Sequence, residues 1–261
     1  MNKRVILLFA LLLQAFWISA QTKSDSADDK KFSIGVRAGM TASGISNMEE
    51  IMSVDLFKES VDMKSKMKFA GEFGFVFNCR IKSWFYIQPG VYWSVQGGRY
   101  EADIPEATYY FRDVRDFKVR FKDGISTQSI TVHYLKIPVL LSFRINLKKC
   151  GLFLNTGPYI SVGMAGKYSY EVSGRRYETM STVSLLSDDS YENFFGGSLN
   201  ASRVDTGWSF GLALSLRKFI LSASYDMGYI DFIKDYNNPS FSYSDKKHYN
   251  SVVGVKLGYD F

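Results

Sequence analysis

Eight stretches of this chain alternate apolar and polar residues with a period of two, and the apolar phase carries no charge in any of them. They cover 32–40, 68–80, 85–96, 134–144, 152–167, 204–217, 219–229 and 248–261. In the sixth, Val204, Trp208, Phe210, Leu212, Leu214 and Leu216 stand against Asp205, Ser209, Ser215 and Arg217. Period two puts successive side chains on opposite faces of a strand, so each stretch predicts a strand with two unlike faces. With 22% of the chain charged, a charge-free face is a strong restriction. The opposite phase carries Arg37, Lys68, Glu72, Arg80, Lys136, Arg144, Lys167, Asp205, Arg217, Asp226, Lys256 and Asp260.

A soluble β-sandwich also separates its faces in this way. Strand length and loop order favour another solution. The stretches are long for a sandwich and suit tilted strands of ~9–11 residues that cross a membrane, apolar outward and polar inward. The gaps run 41–66, 82–84, 97–128, 146–151, 169–203, 217–218 and 231–248, strictly long then short. Long extracellular loops and tight periplasmic turns give that asymmetry, whereas Greek-key connections give no reason for it. The predicted fold is therefore all-β: an eight-stranded antiparallel up-and-down transmembrane β-barrel. Eight strands enclose only enough space for their own side chains, so the inward charges of both signs are expected to form a hydrogen-bonded plug. Arg217-Lys218 fits a two-residue hairpin that pairs Leu216 with Phe219.

The averages hide this pattern. A mean hydropathy of −0.10 and 46% hydrophobic residues suit a soluble domain until the two phases are separated. Residues 1–20 read as a cleaved signal peptide, with Lys3 and Arg4, an apolar run over 5–15, and Ile18-Ser19-Ala20 before the cut. A polar periplasmic segment, 21–31, precedes the barrel, 32–261. No cysteine lies near the cut, which excludes lipid attachment there. Loss of Lys3 and Arg4 at the cut lowers the formal charge from +6 to about +4, too mild to argue for nucleic acid.

Chemistry-bearing residues are sparse. The two histidines are His133, after Ser129 and Thr131, and His248, near Asp231, Asp235 and Ser244. His133 falls on the lipid-facing phase, which is wrong for a site in the barrel mouth. A His–Ser–acid site needs spatial convergence, which residue spacing along a chain does not display. Asp188-Asp189 and Asp245 are isolated loop carboxylates without His or Cys at ligand spacing. Gly97-Gly98 and Gly196-Gly197 do not join a strand to a helix, so no phosphate cradle is expected. No catalytic, cofactor-binding or metal-binding residue is assigned, and the chain is expected not to be an enzyme. Cys79 and Cys150, two ladder spacings apart at roughly 10 Å, are expected to be free thiols. Trp84, Trp93, Trp208, Tyr225, Tyr229, Tyr249 and Tyr259 read as interfacial anchors. Phe117, Val119 and Phe121 alternate with Lys118, Arg120 and Lys122, which predicts a hairpin continuing above the membrane as a ribbon.

Several segments carry a resemblance. Tyr86-Ile-Gln-Pro-Gly90, Tyr134-Leu-Lys-Ile-Pro-Val-Leu-Leu141, Leu154-Asn-Thr-Gly-Pro-Tyr159 and Phe32-Ser-Ile-Gly-Val-Arg-Ala-Gly39 resemble the PorT-type outer-membrane β-barrel family. The resemblance implies a protein of the bacterial outer membrane, in contact with outer-membrane lipids and lipopolysaccharide. The closing strand, with Tyr259 and Phe261, is similar to the strand by which the barrel-assembly machinery recognises its clients. Exposed loops on a rigid scaffold point to surface recognition or a structural role, and the family's namesake assists protein secretion, so the resemblance implies a secretion accessory as the alternative. A lipid A-modifying enzyme and a narrow pore are the remaining alternatives. The expected state is a monomer without cofactors. Pro89, Pro138 and Pro158 fall inside strands of a barrel with no free edge, so bulges or weakened ladder pairs are expected there.

Overall fold

Each alternating stretch forms a strand of the chain's computed structural model. The structure describes residues 31–50, 63–104, 107–111, 117–147, 150–176, 182–189, 194–195, 200–234 and 246–261. The expected signal peptide and the 21–31 segment, apart from Lys31, lie outside them. Eight long strands carry the fold: β1 (Phe32–Ile45), β3 (Lys68–Lys82), β4 (Phe85–Ile104), β6 (Phe117–Asn146), β7 (Gly151–Arg176), β9 (Val204–Leu216), β10 (Phe219–Gly228) and β11 (Asn250–Asp260). Three short ones, β2 (Lys64–Lys66), β5 (Ala107–Phe111) and β8 (Thr182–Asp189), pair with β4, β6 and β7 at one end.

All pairings are antiparallel, and the order β1-β3-β4-β6-β7-β9-β10-β11 returns to β1. Closure runs from Gly35↔Asp260 to Ile45↔Asn250, so the long strands leave no free edge. The faces are inverted relative to a soluble protein. Phe69, on the apolar phase, is 73% exposed, while Lys136, on the charged phase, is 2% exposed. Lys136, Glu72 and Asp226 are all buried, and Phe73, Leu212 and Leu257 are all exposed. This is the polarity that a lipid solvent requires.

The short-turn end has gaps of 83–84, 147–150 and 217–218. Leu216 and Phe219 are direct partners, as expected, and Arg217 sits at φ 56°, in the left-handed region that this two-residue turn uses. At the other end, much of what reads as loop is strand. β4 and β6 stay paired to Ile104↔Gly124, β6 and β7 to Phe121↔Arg176, and β8 adds Tyr168↔Asp189. The ribbon around Phe117–Phe121 is present, with β5 paired from Ala107↔Phe121 to Phe111↔Phe117. Above the membrane both faces of a strand meet water, so the apolar contrast that marks a strand in sequence disappears while the pairing continues.

The prolines interrupt the ladder without shifting it. Pairing passes from Pro89↔Val139 to Tyr92↔Lys136 in one register, and from Pro138↔Tyr159 to Leu141↔Thr156 likewise. Pro158 pairs with Trp208 in an unbroken run. The ladder lapses at all three prolines, Pro158 included because its β6–β7 pairing with Val139 is missing, and no bulge lies at any of them.

Two of the twelve charges expected inward face outward. β7 holds an extra residue where the register steps from His133↔Ala165 to Tyr134↔Gly163, and this bulge reverses the phase beyond it. Lys167 therefore shares the outer face with its partner Thr131. Lys68 leaves the lumen by a different route. The β3–β4 ladder stops at Glu72↔Ser94 and resumes through β2 at Lys66↔Arg99. Across the gap, side chains of β1 serve the backbone of β4: Thr41 Oγ1 donates to Val95 O at 3.4 Å, and Gly97 N donates to Ser43 Oγ at 2.9 Å. Gly97 has φ 149°, and a Cβ there would lie 2.0 Å from Ile130 O, so only glycine fits. The Lys68 amine passes this seam to donate to Ser129 Oγ at 2.7 Å and Thr131 Oγ1 at 2.5 Å.

Candidate functional site

The lumen is built in tiers by inward residues from strands distant in sequence. At mid-height Lys136 of β6 lies 2.5 Å from Asp226 of β10 and 3.3 Å from Glu72 of β3. Lys256 of β11 lies 3.1 Å from the other oxygen of Glu72. Ser209 of β9 donates to Asp226 at 2.5 Å. The ammonium of Lys136 also faces the Tyr159 ring at 5.5 Å, and that of Lys256 the Tyr92 ring at 5.0 Å. Two cations and two anions thus span the lumen with zero net charge. Burial of single ions in such walls is very costly, and mutual pairing with added hydrogen bonds is what makes it tolerable.

Toward the loop end, Asp205 accepts from Tyr159 Oη at 3.1 Å and from Asn250 Nδ2 at 3.4 Å. Above it the inward phase turns apolar. Ile45, Met48, Tyr100, Ile130, Val132 and Phe232 form a fully covered cluster, with Phe194 and Ile233 packed into it. Tyr100 Oη donates to Ile45 O at 3.2 Å. This cap had a visible signal: Tyr100, Ala102, Ile130 and Val132 continue the inward phase of β4 and β6 with apolar residues. Sequence reasoning missed it because Tyr100 and Ala102 fall in the 97–128 segment read as loop, and Ile130 and Val132 fall between that segment and the alternating stretch 134–144.

His248 belongs to the cap. It is fully buried, its Nδ1 is 3.4 Å from Asp231 Oδ1, and the same oxygen accepts the backbone N–H groups of His248 at 3.1 Å and Ile233 at 3.3 Å. That arrangement ties loop backbone to the barrel rim. Asp235, Ser244 and Asp245 lie outside the described residues, as do Gly196 and Gly197. Asp188 and Asp189 lie on β8. His133 is on the outer face, its ring 5.7 Å from Trp93 on β4. The two histidines are therefore not brought together. Cys79 and Cys150 are free.

Toward the short-turn end, Arg37 meets Asp260 at 2.6 Å, Gln88 donates to Asn78 at 2.8 Å, and Ser142 donates to Gln88 at 2.6 Å. On the outside, Trp84 stacks on Phe143 with ring centroids 6.1 Å apart, and Tyr259 meets Phe219 and Phe261 edge-on. These rings form the aromatic girdle expected at that interface. At the opposite rim Lys68 gathers the hydroxyls of Ser129 and Thr131, with Arg99 and Lys167 as charged neighbours. Just above, Lys66 and Arg99 both pair with Glu101, and the hydrogen bond from Lys66 holds its carboxyl below the usual carboxylate range.

Comparison with known proteins adds a family. Residues 19–234 match the family described as outer membrane protein beta-barrel domain. No protein of curated function matches the chain. Among solved structures, the attachment invasion locus protein Ail of Yersinia pestis is 12% identical, covering 89% of this chain and 100% of its own, with a TM-score of 0.33. OprG of Pseudomonas aeruginosa is 10% identical over 89% and 97%, with a TM-score of 0.38. Neisserial surface protein A is 11% identical over 89% and 98%, with a TM-score of 0.32.

Proposed function

The chain belongs to the outer membrane protein beta-barrel domain family, and from that premise we propose that it is a non-enzymatic, monomeric barrel. In this reading the lumen passes no solute, and the extracellular ribbon and loops make its contacts. The observation that carries the proposal is the neutral Glu72–Lys136–Asp226–Lys256 network across the lumen, roofed by the apolar cap. A pore keeps mobile water along its axis, whereas these charges are satisfied by one another.

Lipopolysaccharide is the expected lipid neighbour of the outer rim. The Lys68, Arg99 and Lys167 cations, with the Ser129 and Thr131 hydroxyls, lie just above the Trp93–His133 pair at the edge of the apolar belt. Ammonium, guanidinium and hydroxyl donors together suit a phosphate group. Phe261 directly follows the closing strand and is exposed, as a recognition residue for the assembly machinery would be.

A planar-bilayer measurement tests the closed lumen. The expected result is no stable conductance for the wild type; steady wild-type conductance overturns the reading. Photocrosslinking from the β5–β6 ribbon in intact cells names the contact. Capture of lipopolysaccharide or a surface protein supports the recognition role. Capture of secretion subunits favours the accessory role that the PorT-type motifs imply.

A further inference from the structure

The lumen is filled at its middle and outer levels, but not below. Beneath the ion-pair network a cavity of about 940 Å³ is lined down to the short-turn end, where Arg217, Lys218 and Phe261 form part of its wall. Its wall carries six basic side chains, Arg37, Arg80, Arg144, Arg217, Lys218 and Lys256, and one acidic side chain, Asp260. We propose that this periplasm-facing cavity is a binding site for a phosphate-bearing anion.

Charge is the first argument. Asp260 is committed to Arg37, and Lys256 is committed to Glu72, which lies above the cavity. Three further basic groups come from two strand connections around the mouth: Arg144 near the β6–β7 turn, and Arg217 and Lys218 in the β9–β10 turn. Like charges converging in a concavity with low-dielectric walls focus a positive potential on its axis. Such crowding weakens folding unless an anion offsets it, so the arrangement points to a ligand rather than to stability.

Preorganisation is the second. Arg144 donates from Nη1 to Tyr86 Oη at 3.2 Å, and its guanidinium lies over the Phe153 ring at 5.7 Å. Tyr86 and Phe153 are themselves packed edge to face at 5.6 Å. The fork is thus held on an aromatic platform, which lowers the entropy lost when it grips an oxyanion. Neutral donors, Asn78, Gln88 and Ser33, share the wall and hold one another through bonds of 2.8 and 3.1 Å. The excess of several positive charges selects a multiply charged phosphate group over a single carboxylate. The volume exceeds that of one phosphate and suits a phosphate ester or a lipid headgroup.

The test uses the folded barrel in nanodiscs of neutral phosphatidylcholine, with inorganic pyrophosphate titrated by calorimetry at low salt. Binding is expected, weakening steeply as salt rises, and falling tenfold or more in Arg144→Gln and in the double variant Arg217→Gln, Lys218→Gln. The second variant alters an exposed turn outside the mid-lumen network, and heat-modifiable gel mobility verifies that both fold. Native mass spectrometry from mixed nanodiscs separates the sources. Retention of phosphatidylglycerol by the wild type and not by the variants assigns the site to a lipid headgroup, while pyrophosphate binding without retention assigns it to a soluble phosphate ester. Neither ligand binding the wild type, binding undiminished in both variants, or citrate competing as well as pyrophosphate overturns the proposal.

Discussion

Lys136 is the residue on which the lumen turns. It touches both carboxylates of the mid-height network, and its removal leaves Glu72 with Lys256 and Asp226 with Ser209 alone. Lys136→Met keeps the side-chain length and removes the charge, so a buried carboxylate is left uncompensated. The expected cost is about 3–5 kcal/mol of stability, read from urea unfolding in detergent. Adding Asp226→Leu removes the orphaned anion and is expected to restore part of that loss. A double variant no better than the single one would show that Asp226 is satisfied by other groups. That these residues point inward was legible, because each sits on the charged phase of its strand. Their partners were not, since Glu72 and Lys136 are 64 residues apart, and Glu72 and Lys256 are 184 apart.

Strands obey a local rule until an insertion breaks it. The bulge of β7 beside Met164 turns Lys167 from the lumen to the outer face, and nothing in the surrounding alternation marks it, because small residues occupy both phases over Gly163–Gly166. Deleting Met164 restores a straight register and is expected to return residue 167 to the lumen side. A Lys167→Cys variant should react with a membrane-impermeant maleimide in intact cells, and lose that reactivity when Met164 is also deleted. Unchanged labelling would place the phase reversal elsewhere. The ribbon strands show the converse: β4, β6 and β7 run on past the belt still paired, with one register shift between Lys122 and Ile125, where their residues had lost the apolar signature of a strand.

At the scale of the whole molecule, closure is the decisive event. β11 pairs with β10 on one side and β1 on the other, so it carries two ladders and joins the ends of the sheet. Deleting residues 249–261 opens two edges in lipid and is expected to abolish folding into detergent or liposomes even without assembly factors. Phe261→Ala keeps both ladders and is expected to fold in vitro while inserting poorly in cells. If both variants fold equally in vitro, closure is not what the last strand supplies. The apolar cap is likewise a property of the assembled ring, because Ile45 of β1, Tyr100 of β4, Ile130 of β6 and Phe232 of the segment after β10 meet only once these elements share one mouth.

The amino-acid sequence by itself determined the polarity of the protein, the number and order of its long strands and the end that carries its short turns. All of these follow from side-chain alternation and turn length, which are read along one strand at a time. The tertiary structure decided which charges neutralise one another, which two cations escape to the outer rim, how the mouth is roofed and where the lumen stays open. Those depend on the register between neighbouring strands and on which strands face each other across a closed ring, and a one-residue bulge changes both while leaving the local pattern nearly untouched.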